Sequence, residues 1–135
     1  MVTYYQTVRT KLLSVSDIEQ IVATTQRAVK CTPADVSIHM IGDVRMTTMN
    51  AQYRGKSYPT DVLSFPTGDI HDRGDIFICV PQIIRQSKQF GVTPKEECVR
   101  MLVHGVLHLL GYDHQTRQDA DKMFSVQERV VKKYQ

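Results

Sequence analysis

The sequence predicts an α+β domain in which a small mixed β-sheet packs with helices around one central helix. Two observations support this class. Strand-like and helix-like segments are mixed in the first part of the chain, whereas only helices follow. One of the later helices, Cys98 to Leu110, is apolar on nearly every face except at its histidines, which is typical of a helix in the centre of a domain. We expect residues 1–135 to form a single domain.

Composition excludes several classes of protein. The chain is 41% hydrophobic and 23% charged, as in an ordinary globular protein. Its longest apolar run, Ile76 to Val80, is far shorter than the ~20 residues of a transmembrane helix. The first residues lack the apolar core of a secretory signal. Three cysteines without CxxC spacing argue against disulfides. We therefore expect a cytoplasmic protein without a membrane partner.

The first elements follow from periodicity and capping. A strand is expected around Val2 to Val8. Ser16 to Glu19 has the pattern of a capping box, and the apolar spacing after it predicts a helix to about Lys30. Apolar and polar residues alternate from Val36 to Met40, which predicts a half-buried strand.

The middle of the chain predicts a helix and two strands. A helix is expected through about Arg54, ended by Gly55. Strands are expected at Thr60–Phe65 and Gly74–Val80, with the polar segment Pro66–Arg73 as a loop between them. The apolar face of the helix is expected to carry Met46, Met49 and Tyr53.

Three helices are expected in the last part of the chain. A short one spans Gln82 to Phe90. Thr93 then has the character of an N-cap, with Glu96 as its reciprocal partner, and opens the central helix that Gly111 ends. Thr116 starts the last helix. The buried side of this last helix is expected to carry Met123, Val126 and Val130.

The segment with chemical information runs from His104 to His114. His104 and His108 are four residues apart on a helix, so both imidazoles project from one face and can meet one metal ion. Gly111 can break the helix and return the chain, which brings His114 to the same ion. Three imidazoles suit Zn²⁺, with nickel, cobalt or manganese as alternatives. Three ligands also leave a coordination site open, as in catalytic centres.

The alternative for His104 and His108 is that they are hydrogen-bonded core histidines, whereas His39 and His71 are expected to be structural or solvated. The spacing also matches HExxHxxGxxH of the metzincin metalloproteases, except that Gly105 stands where those enzymes carry a glutamate base. Peptide hydrolysis needs such a base, so the sequence disfavours a protease.

The segments NAQYRG, TDVLSFP, GDI and HGVLHLLGYDH, which follow one another in this order from residue 50 to residue 114, resemble the bacterial YbeY family. The resemblance implies a metzincin-like core and a metal-dependent, single-strand-specific endoribonuclease with one zinc ion on His104, His108 and His114. It implies a role in 16S rRNA 3′-end maturation and ribosome quality control. It also implies RNA and the small ribosomal subunit as partners, together with the Era GTPase and a small-subunit ribosomal protein.

Two departures from the family pattern are visible. Gln115 follows the last histidine where an acidic residue is frequent, and Gln127 stands where a glutamate is common, with Glu128 beside it. We expect neither change to touch the metal ligands.

Further site residues are expected around the metal. The resemblance makes Arg54, in the segment YRGK, a catalytic residue beside His108, because a guanidinium can hold a phosphate and balance charge in phosphoryl transfer. Its alternative is a cation at a helix C-terminus. Asp61 either borders the cleft or caps a turn, and Asp113 is expected to orient an imidazole. Met123 lies beneath the metal or is simple core.

Three functions remain open from the sequence. In the first, the ion activates a water or polarises a phosphate oxygen during RNA cleavage, in which a water or the 2′-hydroxyl attacks. In the second, the protein is a non-catalytic ribosome-assembly factor with a structural zinc. In the third, it is a metal-dependent hydrolase of a small phosphate or amide compound, bound in a pocket that is closed to polymers. The net charge of the protein is +3, which permits a nucleic-acid partner without requiring one.

Overall fold

The computed structural model describes residues 1–135 and confirms the predicted α+β class, with four strands and five helices. No helix combines the length and the apolar character that crossing a bilayer requires. In chain order the elements are β1 (Val2–Gln6), α1 (Val15–Ala28), β2 (Asp35–Ile41), α2 (Asp43–Arg54), β3 (Val62–Pro66), β4 (Asp72–Cys79), α3 (Val80–Phe90), α4 (Pro94–Leu109) and α5 (Arg117–Lys132).

The sheet is mixed, as predicted. Its strands lie in the order β1-β2-β4-β3, in which β1, β2 and β4 are parallel and β3 runs antiparallel along the outer side of β4. Ile38 of β2 is level with Tyr4 on one side and Ile76 on the other. Because side chains alternate along a strand, these residues share the face of the sheet that packs against the main core.

Helix α4 is the centre of the molecule, as its apolar composition predicted. It contacts α1, α3 and α5 as well as β3 and β4. Its Leu102, Val103, Val106 and Leu107 are completely buried in the main core, which joins α1, the sheet, α4 and α5. The more specific expectation of a metzincin-like core stays a prediction.

Helix α2 lies on the other face of the sheet. Met46 packs there in a second, smaller core with Ile41, Leu63 and Cys79. Tyr53 lies at the margin of the apolar face of this helix: its ring meets Phe65 edge-on at 4.9 Å, but its side chain is 59% exposed. The helix covers only part of this sheet face, so its last turn extends beyond the small core.

The first helix begins two residues earlier than predicted. Ser14 is the N-cap: its Oγ accepts a hydrogen bond from Asp17 N, and the Asp17 carboxylate accepts one from Ser14 N, both at 3.0 Å. The capping box predicted at Ser16 to Glu19 is therefore wrong. Two overlapping Ser-x-x-acid patterns compete here, and the burial of Leu13 in the main core fixes the turn at the earlier one.

The hairpin between β3 and β4 is tighter than predicted. β4 begins at Asp72 and β3 extends through Pro66, so the loop predicted at Pro66–Arg73 is shorter by three residues. Thr67 N donates a hydrogen bond to Arg73 O at 3.2 Å, within the ordinary range for backbone hydrogen bonds. This bond continues the pairing beyond the predicted strand ends.

Two other element starts are also shifted. β3 begins at Val62 rather than Thr60, because the Asp61 carboxylate accepts from Val62 N at 2.7 Å and thereby shapes the chain before the strand. α3 begins at Val80 rather than Gln82, with a proline in its first turn, where a missing N–H costs nothing.

The caps of the last two helices are only partly as predicted. Thr93 accepts from Glu96 N at 3.1 Å, which confirms the N-cap, but Glu96 is not its reciprocal partner. The Glu96 carboxylate instead pairs with Arg100 at 3.2 Å, one turn further along. Thr116 caps α5 as predicted. On α5 Val126 is only half-buried; the residues buried there are Met123, Gln127, Val130 and Val131.

Gly105 allows α4 to approach the sheet. A Cβ at this position would lie 2.9 Å from Ile76 Cγ2 and 3.2 Å from Ser64 Oγ. Ser64 Oγ donates to Gly105 O at 3.2 Å, which ties β3 to the helix beside His104. A longer side chain at position 105 would therefore collide with the sheet, and this explains why the glutamate of the protease pattern has no room here.

We expect Gly105→Ala to lower the free energy of unfolding by about 1 kcal/mol. Overpacking a core costs about 1–3 kcal/mol, and the better helix propensity of alanine, about 1 kcal/mol, offsets only part of it. Denaturant unfolding measures the change. In the double variant with Ile76→Ala the clashing methyl is absent, so its loss should be smaller than the sum of the two single losses. A Gly105→Ala protein more stable than the wild type would contradict the close packing.

Candidate metal centre

Three histidines come together at the C-terminal end of α4. His104 and His108 lie on successive turns of the helix, and His114 follows the turn at Gly111. One ring nitrogen from each lies within 4.8 Å of those of the other two. Gly111 has a φ of +95°, a backbone conformation that residues other than glycine rarely adopt. The structure thus brings together the three residues that the sequence singled out.

The turn after α4 also fixes the ring of His108. Tyr112 N donates to Leu107 O at 3.0 Å, which closes the turn, and Tyr112 O then accepts from His108 Nδ1 at 2.9 Å. A carbonyl oxygen can only accept, so Nδ1 carries the proton. The lone pair of His108 is therefore on Nε2.

The ring of His104 is fixed from α5. Gln127 Oε1 lies 2.8 Å from His104 Nδ1, while Gln127 Nε2 donates to the Glu128 carboxylate at 3.1 Å. Because the carboxylate requires a donor, it sets the orientation of the amide and directs the amide oxygen to the ring. His104 Nδ1 therefore donates, and the lone pair of His104 is also on Nε2.

The two Nε2 atoms face each other at 3.1 Å. With both Nδ1 atoms protonated, two lone pairs point into the same space, which is unfavourable unless a cation lies between them. In a tetrahedral site two nitrogens at ordinary zinc distances are about 3.3 Å apart. The donor set of His104, His108 and His114 therefore fits a transition-metal ion.

The electrostatics of the site favour neutral rings. Burial lowers the pKa of His104, and the neighbouring His114 lowers it further, although the hydrogen bond to Gln127 and the charge of Asp61 act in the opposite direction. Burial also lowers the pKa of His108, with His104 and His114 as further causes. Metal ligation requires neutral imidazoles, so the site is prepared for it.

Arg54 and Asp61 have different surroundings. Arg54 is the last residue of α2, exposed, and forms neither a hydrogen bond nor an ion pair, so its guanidinium is free to bind a ligand. Asp61 both shapes the chain at Val62 and accepts from Gln86 Nε2 at 3.1 Å. Its charge also raises the pKa of His104. The interpretation of Asp61 as a turn cap is therefore confirmed, and its place at the border of the cleft stays a prediction.

The expectation for Asp113 is wrong. Its carboxylate accepts from Gln115 N at 3.3 Å and caps the turn, whereas Tyr112 O orients His108 and Gln127 orients His104. Met123 is completely buried in the main core, which agrees with its interpretation as a core residue. The other two histidines are structural or solvated as predicted: His39 is bonded to Asp75 in the sheet, and His71 is exposed.

Sequence reasoning missed two residues of α5. The statement that Gln127 does not touch the ligands is wrong, since it holds the ring of His104. Phe124 lies beside His114, with ring centroids 5.9 Å apart and the planes 21° from parallel. Neither contact has a local signature, but a buried glutamine on an amphipathic helix is a signal for a buried polar partner.

The comparisons with known proteins agree with this geometry. The family model described as endoribonuclease YbeY matches residues 5–135, which is nearly the whole chain. The chain belongs to the YbeY family. The match includes α4, the turn after it and α5, so all of the candidate metal centre lies within it.

Individual members of the YbeY family share much of this sequence. A relative from Sulfurihydrogenibium, named endoribonuclease YbeY, is 42% identical over 105 residues, which are 73% of this chain and 69% of the relative. A relative of the same name from Bdellovibrio bacteriovorus is 48% identical over 81 residues, 59% of this chain and 54% of the relative. The solution structure of a Thermotoga maritima protein has a TM-score of 0.68 at 27% identity and covers 97% of this chain and 87% of its own.

We expect Gln127→Ala to lower the affinity for Zn²⁺ by about 10- to 100-fold, because residues that orient metal ligands typically contribute that much. Titration calorimetry of the metal-free protein measures the affinity directly. Gln118→Ala is the matched control, since Gln118 is an exposed glutamine on the same helix. Equal affinities of Gln127→Ala and the wild type would show that Gln127 does not position His104.

We also expect the metal-free protein to lose stability as the pH falls below about 6.5. Because the pKa values of His104 and His108 are lowered in the folded state, the unfolded chain binds more protons than the folded protein in that range. The free energy of unfolding therefore decreases as the pH falls. Thermal unfolding with a chelator, at pH values between about 5 and 7.5, measures the dependence.

The double variant His104→Gln/His108→Gln should flatten this pH dependence, whereas His71→Gln, at an exposed site, should leave it unchanged. A slope in the double variant as steep as that of the wild type would assign the effect to other groups.

Proposed function

We propose that the protein is a metal-dependent endoribonuclease specific for single-stranded RNA, with one ion held by His104, His108 and His114. The observation that carries this proposal is the pair of Nε2 lone pairs that face each other at 3.1 Å. Membership of the YbeY family, whose model is described as an endoribonuclease, supports RNA as the substrate. Zn²⁺ is the ion that three imidazoles favour.

The centre is open on one side. His114 is exposed and Phe124 beside it is 42% exposed, so a polymer can reach the three rings. When bound, the ion supplies Lewis acidity toward a phosphate oxygen or a water. The role of the protein is to hold the imidazoles of His104 and His108 neutral and oriented, the first through Gln127 and the second through Tyr112 O, and to bring His114 to them by the turn at Gly111.

Arg54 is the second catalytic residue of the proposal. Its guanidinium has no carboxylate partner and can donate two parallel hydrogen bonds to a phosphate. In phosphoryl transfer this contact would stabilise the negative charge that develops on the phosphate. A lysine at this position would supply the charge without the paired geometry.

The helix provides no general base, because Gly105 faces the sheet. RNA differs from most substrates here, since its 2′-hydroxyl is an internal nucleophile. We propose small-subunit rRNA as the substrate, on the resemblance to the family, with the small ribosomal subunit, one of its proteins and the Era GTPase as partners in the cytoplasm. On the same resemblance we propose a role in ribosome quality control. We also propose that residues 1–135 form a single domain.

We expect His108→Ala to abolish cleavage of a labelled single-stranded rRNA 3′ fragment, and Arg54→Ala to lower its rate by about 100-fold. Arg54→Lys should be intermediate. A chelator should stop the wild type, and added Zn²⁺ should restore it. The measurement is the rate of appearance of labelled fragments on a denaturing gel.

Arg129→Ala is the matched control for Arg54, since Arg129 is also exposed and without an ion pair. Contaminating ribonucleases would cut equally in all preparations, so equal rates would refute the assignment. If no preparation cuts while His108→Ala lowers the unfolding temperature, the metal has a structural role, as in the assembly-factor alternative.

A further inference from the structure

Five rings lie together on the sheet face opposite α4, where they run from the last turn of α2, past the small core, to the edge strand β1. We name them the aromatic array: Tyr5, His39, Phe77, Phe65 and Tyr53. Tyr5 stacks on His39 with centroids 4.6 Å apart and planes 10° from parallel. His39 stacks on Phe77 at 4.1 Å and 11°. None of these rings belongs to the candidate metal centre.

Strand register builds this stack. Tyr5, His39 and Phe77 are level with one another on β1, β2 and β4, and neighbouring strands lie about 4.8 Å apart, which is close to the ring spacings. The three rings therefore project from the sheet and stack face to face. β1 is the edge strand, so Tyr5 has a ring on one side only, and its side chain is 50% exposed. The stack thus ends in an unoccupied aromatic face.

The other end of the array leads to Arg54. Phe65 meets Phe77 edge-on at 5.7 Å, and Tyr53 meets Phe65 edge-on at 4.9 Å. Tyr53 is 59% exposed and directly precedes Arg54 in the chain. This end of the array is therefore adjacent to Arg54 in the chain.

The charges along the array suit a polyanion. The Arg45 guanidinium lies 5.5 Å from the centroid of Phe77, is exposed and forms no ion pair or hydrogen bond. Arg54 is equally free. Asp75, the carboxylate in the middle of this face, is bound by His39 Nε2 at 2.9 Å. The two arginines are thus available to a ligand, whereas the Asp75 carboxylate is engaged by His39 but keeps its charge.

We propose that the aromatic array is a second binding surface for single-stranded RNA, on which a base stacks on the outer face of Tyr5 and a phosphate contacts Arg45. The proposal rests on the proposed function, because it assigns the path of the same substrate. Aromatic faces next to unpaired arginines are the combination that binds single strands without sequence preference.

The array also makes binding dependent on substrate length. From β3, which touches α4, to β1 there are three strand spacings, about 14 Å. A dinucleotide at the metal centre is too short to span this distance to Tyr5, whereas an oligonucleotide of about twelve residues is long enough. Variants of the array should therefore affect the longer ligand and spare the short one.

The test measures binding of both oligonucleotides by fluorescence anisotropy in the presence of a chelator, which prevents cleavage. We expect Tyr5→Ala to weaken binding of the longer one by about 5- to 100-fold, in line with the loss of one stacked base. Arg45→Ala should reduce the salt dependence, with the slope of log K against log salt smaller by about 0.7. Cleavage of the longer RNA by Tyr5→Ala should show a raised KM with kcat unchanged.

Two further variants keep the test decisive. Tyr5→Leu keeps apolar contact with His39 and removes the aromatic face, so it should bind as weakly as Tyr5→Ala even where Tyr5→Ala loses stability. Phe90→Ala removes a ring that is 61% exposed but lies outside the array, and it should bind like the wild type. A 5-iodouridine oligonucleotide should crosslink to Tyr5, as mapped by mass spectrometry.

The outcomes separate this inference from the proposed function. If the wild type binds and cleaves RNA and Tyr5→Leu binds the longer oligonucleotide equally well, the array is not an RNA surface, and the proposed function stands. Loss of binding in both Tyr5 variants, with Phe90→Ala unaffected, supports it. A wild type that neither binds nor cleaves single-stranded RNA overturns both, and leaves the array as sheet packing or a contact for another protein.

Discussion

The arrangement of the candidate centre depends on the burial of α4. A helix that is surrounded by other elements can carry imidazoles only if each ring has a polar partner, because an unpaired buried polar group costs about 1–3 kcal/mol. Gln127 and Tyr112 O meet this requirement at the two Nδ1 atoms. Once these are satisfied, the remaining lone pairs of His104 and His108 can only point at each other. The candidate metal centre is thus a consequence of how a buried helix satisfies its polar groups.

The same requirement extends along α4 toward its N-terminus. Glu97 is almost completely buried and is held by Arg100 at 3.3 Å and by Gln86 at 3.0 Å. Arg100 also binds Glu128 at 2.9 Å, and these carboxylates raise the pKa of Arg100 while Arg100 lowers that of Glu128. Glu128 in turn orients Gln127. An ion-pair cluster at one end of the helix therefore determines which nitrogen of His104 carries the proton.

How much was predictable follows from the range of each interaction. His104, His108 and the turn at Gly111 are local, so helical periodicity and one glycine sufficed to bring His114 to the other two. The sequence predicted that the sheet would be mixed. The order of its strands and the contact of Gln127 with His104 depend on long-range packing, which no local pattern encodes. The misplaced cap at Ser16 had another cause: Ser14 offers the same chemistry two residues earlier, and the burial of Leu13 decides between them.

The close contact at Gly105 links packing to chemistry. In the metzincin pattern this position carries the base that deprotonates an attacking water, but here Ile76 and Ser64 occupy the space that its side chain would need. A water that attacks an amide and the 2′-hydroxyl of RNA must both lose a proton, and this helix accepts neither. The RNA phosphodiester differs in that its nucleophile is already held beside the reacting phosphorus, which lowers the demand on the protein for positioning. The helix spacing that gathers three histidines is thus compatible with both reactions, and the approach of the sheet to α4 favours RNA cleavage over peptide hydrolysis.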